Sequence, residues 1–272
     1  MSDARQDSLR HSVGKPSTAR VYDYILGGSH NYAIDREFAE AQLAIMPDLR
    51  VSMQANRAFL GRAVRYAVKA GIRQFVDIGS GLPTEGNVHE VADQAAPGEC
   101  RVLYLDNEPI ARAHADILLA DTADPDRHRA LLADYFDYIP LWQQVLATGI
   151  LNPAEPVCLL LLGMLHFMPP ERQPEVPLAY YRSKLVPGSL LAISHGAPRP
   201  DDENAHTVAD NYRRTNNPLH LRTADELTDF FGGWPLVEPG IVLAPAWRPD
   251  PTTPFANDPT RALMLTGVAK RP

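Results

Sequence analysis

Two short apolar segments, each carrying an aspartate at or near its end, constrain the fold of this chain most strongly. The first is Phe75–Ile78, which contains Asp77 and runs directly into the turn Gly79-Ser80-Gly81. The second, Val102–Asp106, follows one predicted helix later. Parallel strands that carry carboxylates beside a glycine turn form a cleft for a ribose-bearing cofactor. We therefore predict a nucleoside-binding cleft where these two segments end.

Strand and helix signals alternate along the chain after residue 71. The continuous apolar run Val157–Leu162 is typical of a central strand that is covered on both faces. Such alternation predicts an α/β fold with a doubly wound, mostly parallel sheet. Two late apolar segments, Leu236–Val242 and Leu263–Val268, predict an antiparallel pair at one end of that sheet. The remaining predicted strands cover residues 74–78, 101–105, 126–133 and 189–194.

Helical signals precede the sheet. The predicted helices cover residues 21–26, 35–46 and 52–70, and the pair Gly27-Gly28 ends the first. We predict that residues 16–70 form an N-terminal helical cap and that residues 71–272 form the core of one integrated domain. The polar residues 1–15 are predicted to be a disordered or frayed tail.

Charge and composition argue against several classes of function. The 272 residues carry a net charge of −7 and no dense basic run, which disfavours a nucleic-acid partner. The longest apolar run, residues 157–165, is far shorter than the ~20 residues of a membrane span, and no signal peptide is visible. We expect a cytoplasmic protein without a membrane partner. Cys100 and Cys158 are predicted to be buried, reduced thiols, and no spacing of Cys or His predicts a metal site.

Three kinds of glycine loop compete for the segment after Ile78. A phosphate-binding loop has Lys and Ser or Thr after its last glycine, whereas Asn87 and Val88 follow Gly86 here. A dinucleotide-binding turn requires a third glycine where this chain has Thr84. S-adenosylmethionine has no phosphate, and its cationic sulfonium and amino groups favour a nearby acid. The pattern therefore favours S-adenosylmethionine as the cofactor.

The same choice predicts which residues contact the cofactor. The amino-acid moiety would lie over the glycine turn, Asp106 would accept both ribose hydroxyls, and Asp134 would accept from the adenine amino group. The alternative for Asp77 and Asp106 is capping of the helices that follow them. For Asn107 the alternative is a turn, and for Tyr135 it is packing in the core. The predicted cofactor-binding residues are Asp77, Gly79, Ser80, Gly81, Asp106, Asn107, Asp134 and Tyr135.

The chain resembles a known family over several motifs. These are Ala19–Gly28, Asp77–Glu90, Tyr104–Pro109 and Leu165–Phe167. They are similar to those of the actinobacterial S-adenosyl methyltransferase family, once a domain of unknown function, within the class I Rossmann-like methyltransferase superfamily. The resemblance implies a seven-stranded methyltransferase sheet with the cofactor at Asp77, Gly79, Gly81, Asp106 and Asp134, and it implies no established substrate. Pro83 stands where the superfamily often has a third glycine.

Other residues are candidates for catalysis and substrate binding. His166 follows the central strand, so it is the candidate catalytic base, and His195 ends the next strand. The alternative for both is a histidine hydrogen-bonded at a strand end. A polar and aromatic N-terminal segment predicts a lid over the cofactor that supplies substrate contacts. Its candidate residues are Tyr22, Tyr24, Gly28, Asn31 and Tyr32.

Together these features predict an S-adenosylmethionine-dependent methyltransferase. The predicted partner is a small-molecule acceptor that receives the methyl group on an oxygen or nitrogen atom. One alternative is a protein of this fold that binds the cofactor without turnover. The other is a nicotinamide-dependent oxidoreductase, which the residue at position 84 disfavours. The sequence predicts neither the acceptor's identity nor the oligomeric state.

Overall fold

A computed structural model describes residues 14–83, 86–215 and 217–272. The predicted tail, residues 1–15, lies outside these ranges apart from its last two residues. The described residues form an α/β fold around one seven-stranded sheet with the strand order β3-β2-β1-β4-β5-β7-β6. The strands are β1 (Gln74–Ile78), β2 (Arg101–Asp106), β3 (His128–Leu132), β4 (Val157–Leu162), β5 (Leu190–Gly196), β6 (Val242–Leu243) and β7 (Met264–Lys270).

The sheet has the predicted directions. Strands β1 to β5 pair in parallel, whereas β7 pairs antiparallel with both β5 and β6. The mostly parallel sheet with a terminal antiparallel pair is thus confirmed. Strand β6 is much shorter than the predicted segment Leu236–Val242, because Pro239 and Gly240 form a turn inside it. Leu236 makes only an isolated bridge to Ala269.

Helices cover both faces of the sheet. They are α1 (Thr18–Ile25), α2 (Ala33–Ile45), α3 (Asp48–Lys69), α4 (Val88–Ala95), α5 (Pro109–Thr122), α6 (Tyr138–Ala147), α7 (Glu175–Lys184), α8 (Glu203–Tyr212) and α9 (Ala224–Phe230). Helices α1, α2 and α3 match the three helices predicted ahead of the sheet, whereas α8 has no counterpart in the sequence prediction. Asp202 begins α8 by accepting hydrogen bonds from the backbone amides of Asn204 and Ala205.

Three of the buried clusters formed by the described residues hold these layers together. One lies on the sheet face covered by α3, α4 and α5, and a second lies on the face covered by α6, α7 and α9. The third joins α1, α2 and α8 through Val21, Ala39 and Val208. Helix α3, which the sequence prediction placed in the cap, packs against the sheet through Phe59 and Val64. The helices that stand apart from the sheet are therefore α1, α2 and α8. The predicted boundary at residue 70 between an N-terminal cap and the core stays a prediction.

Two further observations concern the whole described chain. Its helices include none that combines the length and the apolar character needed to cross a membrane. Cys100 and Cys158 are buried and unpaired. Burial raises the pKa of both thiols, which keeps them protonated at neutral pH.

Candidate functional site

The main cavity opens at the carboxyl ends of the parallel strands. Strand order reverses between β1 and β4, and this switch point is where open α/β sheets bind ligands. The cavity has a volume of about 250 Å³, whereas one water molecule needs about 10–15 Å³. Asp77 of β1, Asp106 of β2, the loop 163–168 after β4 and Gly196 of β5 all contribute to its wall. The two aspartates that the sequence placed in one cleft therefore do lie in one cavity.

One end of the cavity, here called the polar half, is built by the two turns after β1 and β2. It is lined by Asp77, Gly79–Leu82, Asp106–Glu108, Ala133 and Tyr135, with Thr18 and Ala19 from α1. Gly79 and Gly81 have φ values of +72° and +66°, which side-chain-bearing residues rarely adopt. A Cβ on Gly79 would lie 2.3 Å from Cγ of Met164, whereas the nearest atom to a Cβ on Gly81 is 4.0 Å away, on Ala19. Gly79 thus permits Met164 to pack closely against the turn, whereas Gly81 leaves open space over it.

Asp106 holds this turn in place. Its Oδ2 accepts a hydrogen bond of 2.8 Å from the Gly81 amide, and its Oδ1 accepts one of 2.9 Å from the Glu108 amide. Burial raises the pKa of this carboxyl group, and the amide donors oppose that rise. Each carboxylate oxygen can accept a further hydrogen bond. Asp106 can therefore bind two hydroxyl groups of a ligand while it shapes the glycine turn.

Asp77 is the most perturbed acid of the polar half. It is 5% exposed at the end of β1. Burial raises its pKa to about 7, the charge of Asp106 adds to the rise, and the guanidinium of Arg57 opposes it. At neutral pH the carboxyl is therefore only partly ionised, and a cationic ligand in the polar half would favour its ionised form.

A buried ion-pair network joins α1 and α2 to the polar half. Arg20 is fully buried and pairs with Asp35 at 2.6 Å and with Glu108 at 2.8 Å. Ser17 donates a hydrogen bond of 2.7 Å to Glu108 through Oγ, and its backbone amide donates one of 2.9 Å to Asp35. Glu108 lies two residues after Asp106, so this network fixes α1 beside the predicted ribose-binding position. Sequence reasoning missed these residues, although Arg20 and Glu108 both lie inside motifs that carried the family resemblance.

The other end of the cavity, here called the apolar half, is made by the cluster that joins α1, α2 and α8. All of the residues that line this half also pack in the α1–α2–α8 cluster. They are Ile25, Met46, Leu49, Met53, Phe167, Ala205, Val208, Tyr212, Leu219 and Leu263. Polar and apolar halves belong to the same cavity, with the loop 163–168 and the side chains of Tyr22 and Asn56 also on its wall.

His166 lies in that loop with its ring on the cavity wall. Its Nδ1 accepts a hydrogen bond of 3.1 Å from the Gly196 amide, so the ring proton of the neutral imidazole is on Nε2. Burial lowers the pKa of His166 well below its usual range, and His195 and Arg222 lower it further. The side chain is therefore neutral at neutral pH. The base role predicted for His166 requires the opposite tautomer, in which Nε2 has no proton.

Comparison with known proteins identifies the family of this chain. Residues 4–272 match the S-adenosyl methyltransferase family. This chain belongs to that family. A crystal structure of a DUF574 family protein from Streptomyces avermitilis is 37% identical to it, with a TM-score of 0.89 over 95% of this chain and 98% of the other. The structure of a proposed methyltransferase from Thermobifida fusca is 34% identical, with a TM-score of 0.85 over 94% and 95% of the two chains.

A relative in Mycolicibacterium smegmatis is more distant. This proposed S-adenosyl-L-methionine-dependent methyltransferase is 28% identical over 182 residues. The match covers 65% of this chain and 54% of the mycobacterial protein, so the chain spans about half the length of that relative. The family resemblance and the class I Rossmann-like fold are thus confirmed. The cofactor of the S-adenosyl methyltransferase family is S-adenosylmethionine, as the sequence predicted.

The residues of the polar half fit this cofactor. The open space over Gly81 admits a ligand backbone, and the cavity offers acidic acceptors at Asp77 and Asp106 for cationic and hydroxyl groups. Ser80, Asn107 and Tyr135 also line this half, and the Tyr135 hydroxyl donates to the carbonyl oxygen of Pro174. The cofactor contacts of these residues remain predictions.

Asp134 is placed differently from its predicted partners. It is partly buried, its Oδ1 accepts from the Phe136 amide at 2.9 Å, and it is absent from the cavity wall although its neighbours Ala133 and Tyr135 line it. In this arrangement Asp134 holds the turn after β3. An adenine contact through its carboxylate stays a prediction.

His195 lies behind the cavity wall. Its Nδ1 lies 2.9 Å from the carbonyl oxygen of Gly196, and its Nε2 lies 3.1 Å from Nη1 of Arg222. Because guanidinium only donates, Nε2 accepts and the Nδ1 proton is donated to the carbonyl. Both ring nitrogens are therefore used inside the protein. Arg222 also donates to the carbonyl oxygens of Leu165 and Met168, so His195 and Arg222 support the loop that carries His166.

Only one of the five predicted lid residues lines the cavity. Tyr22 does so, and its hydroxyl donates to the Met53 carbonyl oxygen while it accepts from Nδ2 of Asn56. The Tyr24 hydroxyl donates instead to Glu40 at the surface.

The other three lid candidates, Gly28, Asn31 and Tyr32, shape the connection between α1 and α2. Asn31 donates to Asp23 and to the Gly28 carbonyl oxygen, and a Cβ on Gly28 would lie 2.0 Å from the Asp23 carboxylate. Tyr32 is exposed, and Arg20 lies over its ring. The lid function of this segment stays a prediction, and Tyr22 is the candidate that the cavity geometry supports.

Proposed function

We propose that this protein transfers the methyl group of S-adenosylmethionine to an oxygen or nitrogen atom of a small molecule. The observation that supports the proposal best is the shape of the cavity. A polar half that fits the family's cofactor and an apolar half of different chemistry share one continuous space. A methyltransferase must hold donor and acceptor in contact, and most of its rate enhancement can come from that positioning.

In this proposal the polar half binds the donor. Asp106 accepts the ribose hydroxyls, and ionised Asp77 attracts the positive charge of the amino acid moiety and sulfonium. When bound there, S-adenosylmethionine would supply an electrophilic methyl group. The electron pair of the broken carbon–sulfur bond would stay on sulfur, and the acceptor, having bonded to the methyl group, would release its proton to water. The network of Arg20, Asp35 and Glu108 keeps α1 over this half, which excludes solvent from the donor.

We assign His166 a positioning role at the acceptor atom. Its Nδ1 is held by the Gly196 amide, so Nε2–H can donate a hydrogen bond to the acceptor's oxygen or nitrogen. That bond aims a lone pair of the acceptor atom toward the methyl group. Within the described chain no hydrogen bond is made at Nε2, which leaves this donor for a ligand.

We also propose that the acceptor is small and that the reaction takes place in the cytoplasm. The net charge of −7 disfavours a nucleic-acid substrate, and the reacting residues lie inside a cavity rather than on an open surface. Two buried, unpaired cysteines fit a reducing compartment.

Calorimetry and a transfer assay test the proposal together. Titration with S-adenosylmethionine and S-adenosylhomocysteine should give one site per chain. Incubation with methyl-labelled cofactor and fractionated small-molecule extracts should then move label into at least one fraction. Tight cofactor binding with no label in any fraction would contradict turnover, and no binding of either compound would contradict the whole proposal.

A further inference from the structure

The methionines of this chain are concentrated at one place. The chain has six, and five of them line the cavity, namely Met46, Met53, Met164, Met168 and Met264. The sixth is the first residue, outside the described ranges. Met side chains are flexible and polarisable, make favourable contacts with aromatic rings, and are over-used at binding surfaces that accept several partners. Random placement of methionines in a hydrophobic core does not explain why five of the six line one cavity.

Charge is distributed unevenly around the same cavity. Among its described lining residues the charged side chains are Arg57, Asp77, Asp106 and Glu108. The three acids belong to the polar half, and Arg57 donates to Asn87 and lies close enough to Asp77 to affect its pKa. The described residues of the apolar half carry no charge, and burial keeps His166 neutral. A charged ligand would lose its hydration there without gaining a partner, which disfavours its binding.

Two polar groups remain available where the loop 163–168 meets the apolar half. The rings of His166 and Phe167 have centroids 4.3 Å apart, and those of Phe167 and Tyr212 are stacked at 6.2 Å. Tyr212 is 8% exposed and lines the cavity, yet its hydroxyl makes no hydrogen bond to any residue that the structure describes. Burial raises the pKa of Tyr212 to about 12, so this hydroxyl stays neutral. An apolar ring in this half would thus have a donor at His166 and a hydroxyl at Tyr212, whose rings both contact Phe167.

We propose that the apolar half binds an uncharged, flat and mostly apolar molecule that carries a hydroxyl group. Met46, Met53 and Phe167 contact its ring system, while His166 Nε2–H and the Tyr212 hydroxyl bind its polar group or groups. Because methionine side chains adapt their shape, the site accepts several such molecules rather than one. This inference rests on the proposed function in that the bound molecule is the methyl acceptor.

Three related probes test the charge and polarity of the site. Protein saturated with S-adenosylhomocysteine is titrated calorimetrically with naphthol, naphthalene and naphthoate, which share one ring system. Naphthol should bind at least tenfold more tightly than naphthoate, because the carboxylate has no partner in the apolar half. It should also bind more tightly than naphthalene, which lacks a hydroxyl. Equal or tighter binding of naphthoate would overturn the proposal, as would the absence of naphthol binding.

The Tyr212→Phe variant tests the polar contact without removing the ring. Its affinity for naphthol should fall several-fold toward its affinity for naphthalene, while its affinity for S-adenosylhomocysteine stays the same. Tyr66→Phe is the matched control, since Tyr66 packs its ring against Trp247 outside the cavity. If Tyr212→Phe and Tyr66→Phe bind naphthol equally well, the assignment of Tyr212 is wrong.

These results separate this inference from the proposed function. If the protein binds S-adenosylhomocysteine but binds no uncharged probe, the inference about the apolar half is wrong. The assignment of the cofactor is then unaffected. If S-adenosylhomocysteine does not bind, the proposed function fails. In that case naphthol is titrated into the unloaded protein, and its preference over naphthoate still tests the character of the apolar half.

Discussion

The two halves of the cavity are built in different ways. The polar half consists of two turns after adjacent strands, with glycines at positive φ and a carboxylate fixed by backbone amides. The apolar half consists of side chains from helices and loops that are far apart in the sequence, and it has adaptable methionines rather than fixed dipoles. A rigid half suits a cofactor shared by a whole family, whereas an adaptable half suits an acceptor that differs between members. The comparison predicts that changes in one half leave the ligand of the other half bound.

The largest effect is expected from Asp106→Ala. This change removes the acceptor of the Gly81 and Glu108 amides together with the predicted ribose contact. Lost hydrogen bonds to a charged group cost about 1.5–3 kcal/mol each, so the Kd of S-adenosylmethionine should rise about 100-fold. Calorimetry measures this change, and Asp121→Ala at the exposed end of α5 is the control. A Kd within threefold of the parent value would remove Asp106 from the cofactor site.

The second effect comes from a charge placed in the apolar half. Met53→Glu should weaken naphthol binding by at least tenfold while S-adenosylhomocysteine binds as before. Val176→Glu, on the exposed face of α7, controls for the added charge. If Met53→Glu weakens the binding of naphthol and of S-adenosylhomocysteine to a similar extent, and its melting temperature is unchanged, the two halves are not independent.

The third effect is a pH dependence that belongs to the polar half alone. With a pKa of about 7, Asp77 is about one tenth ionised at pH 6 and about nine tenths ionised at pH 8. Since the ionised form attracts the cationic cofactor, its affinity should rise by up to about tenfold over this range. Naphthol binding should not change. Asp77→Asn should flatten the cofactor profile, and a wild-type profile that is flat or falls with pH would contradict the assignment.

The fourth effect concerns stability rather than ligand binding. The pKa of Asp77 rises from 3.8 to about 7 on folding, so the folded state binds the proton more tightly than the unfolded state. Stability from this group is therefore full at low pH and is lost as pH rises from about 4 to 7. Asp77→Asn should be more stable than the parent by about 1–3 kcal/mol at pH 8 and similar to it at pH 4. Urea unfolding at both pH values measures the difference, and a destabilised variant at pH 8 would be the contrary result.

The same contrast explains what the sequence could predict. The polar half follows from local signals, because Phe75–Ile78, the glycine turn and Val102–Asp106 are contiguous segments whose pairing is set by the fold. The apolar half depends on helix α8, which the sequence prediction missed. Its signal was present but weak, since Ala205, Val208, Ala209 and Tyr212 recur at helical spacing after the capping Asp202 but include two alanines among polar residues.

Hydrogen bonds distinguish several candidate residues that the sequence could not separate. His166 follows strand β4 and His195 lies near the end of β5, yet only His166 lines the cavity, whereas Arg222 and the Gly196 carbonyl use both nitrogens of His195. Likewise, nothing in the sequence showed that Arg20 would pair with Glu108 across 88 residues. Such contacts depend on tertiary packing rather than on local pattern.

A crystal structure with S-adenosylhomocysteine tests the division of the cavity most directly. The account predicts ribose hydroxyls within hydrogen-bonding distance of Asp106, the amino acid moiety over Gly79 and Gly81, and no contact between the ligand and Val208 or Tyr212. A nucleoside packed against Val208 and Tyr212, with Asp106 left without a ligand contact, would contradict it.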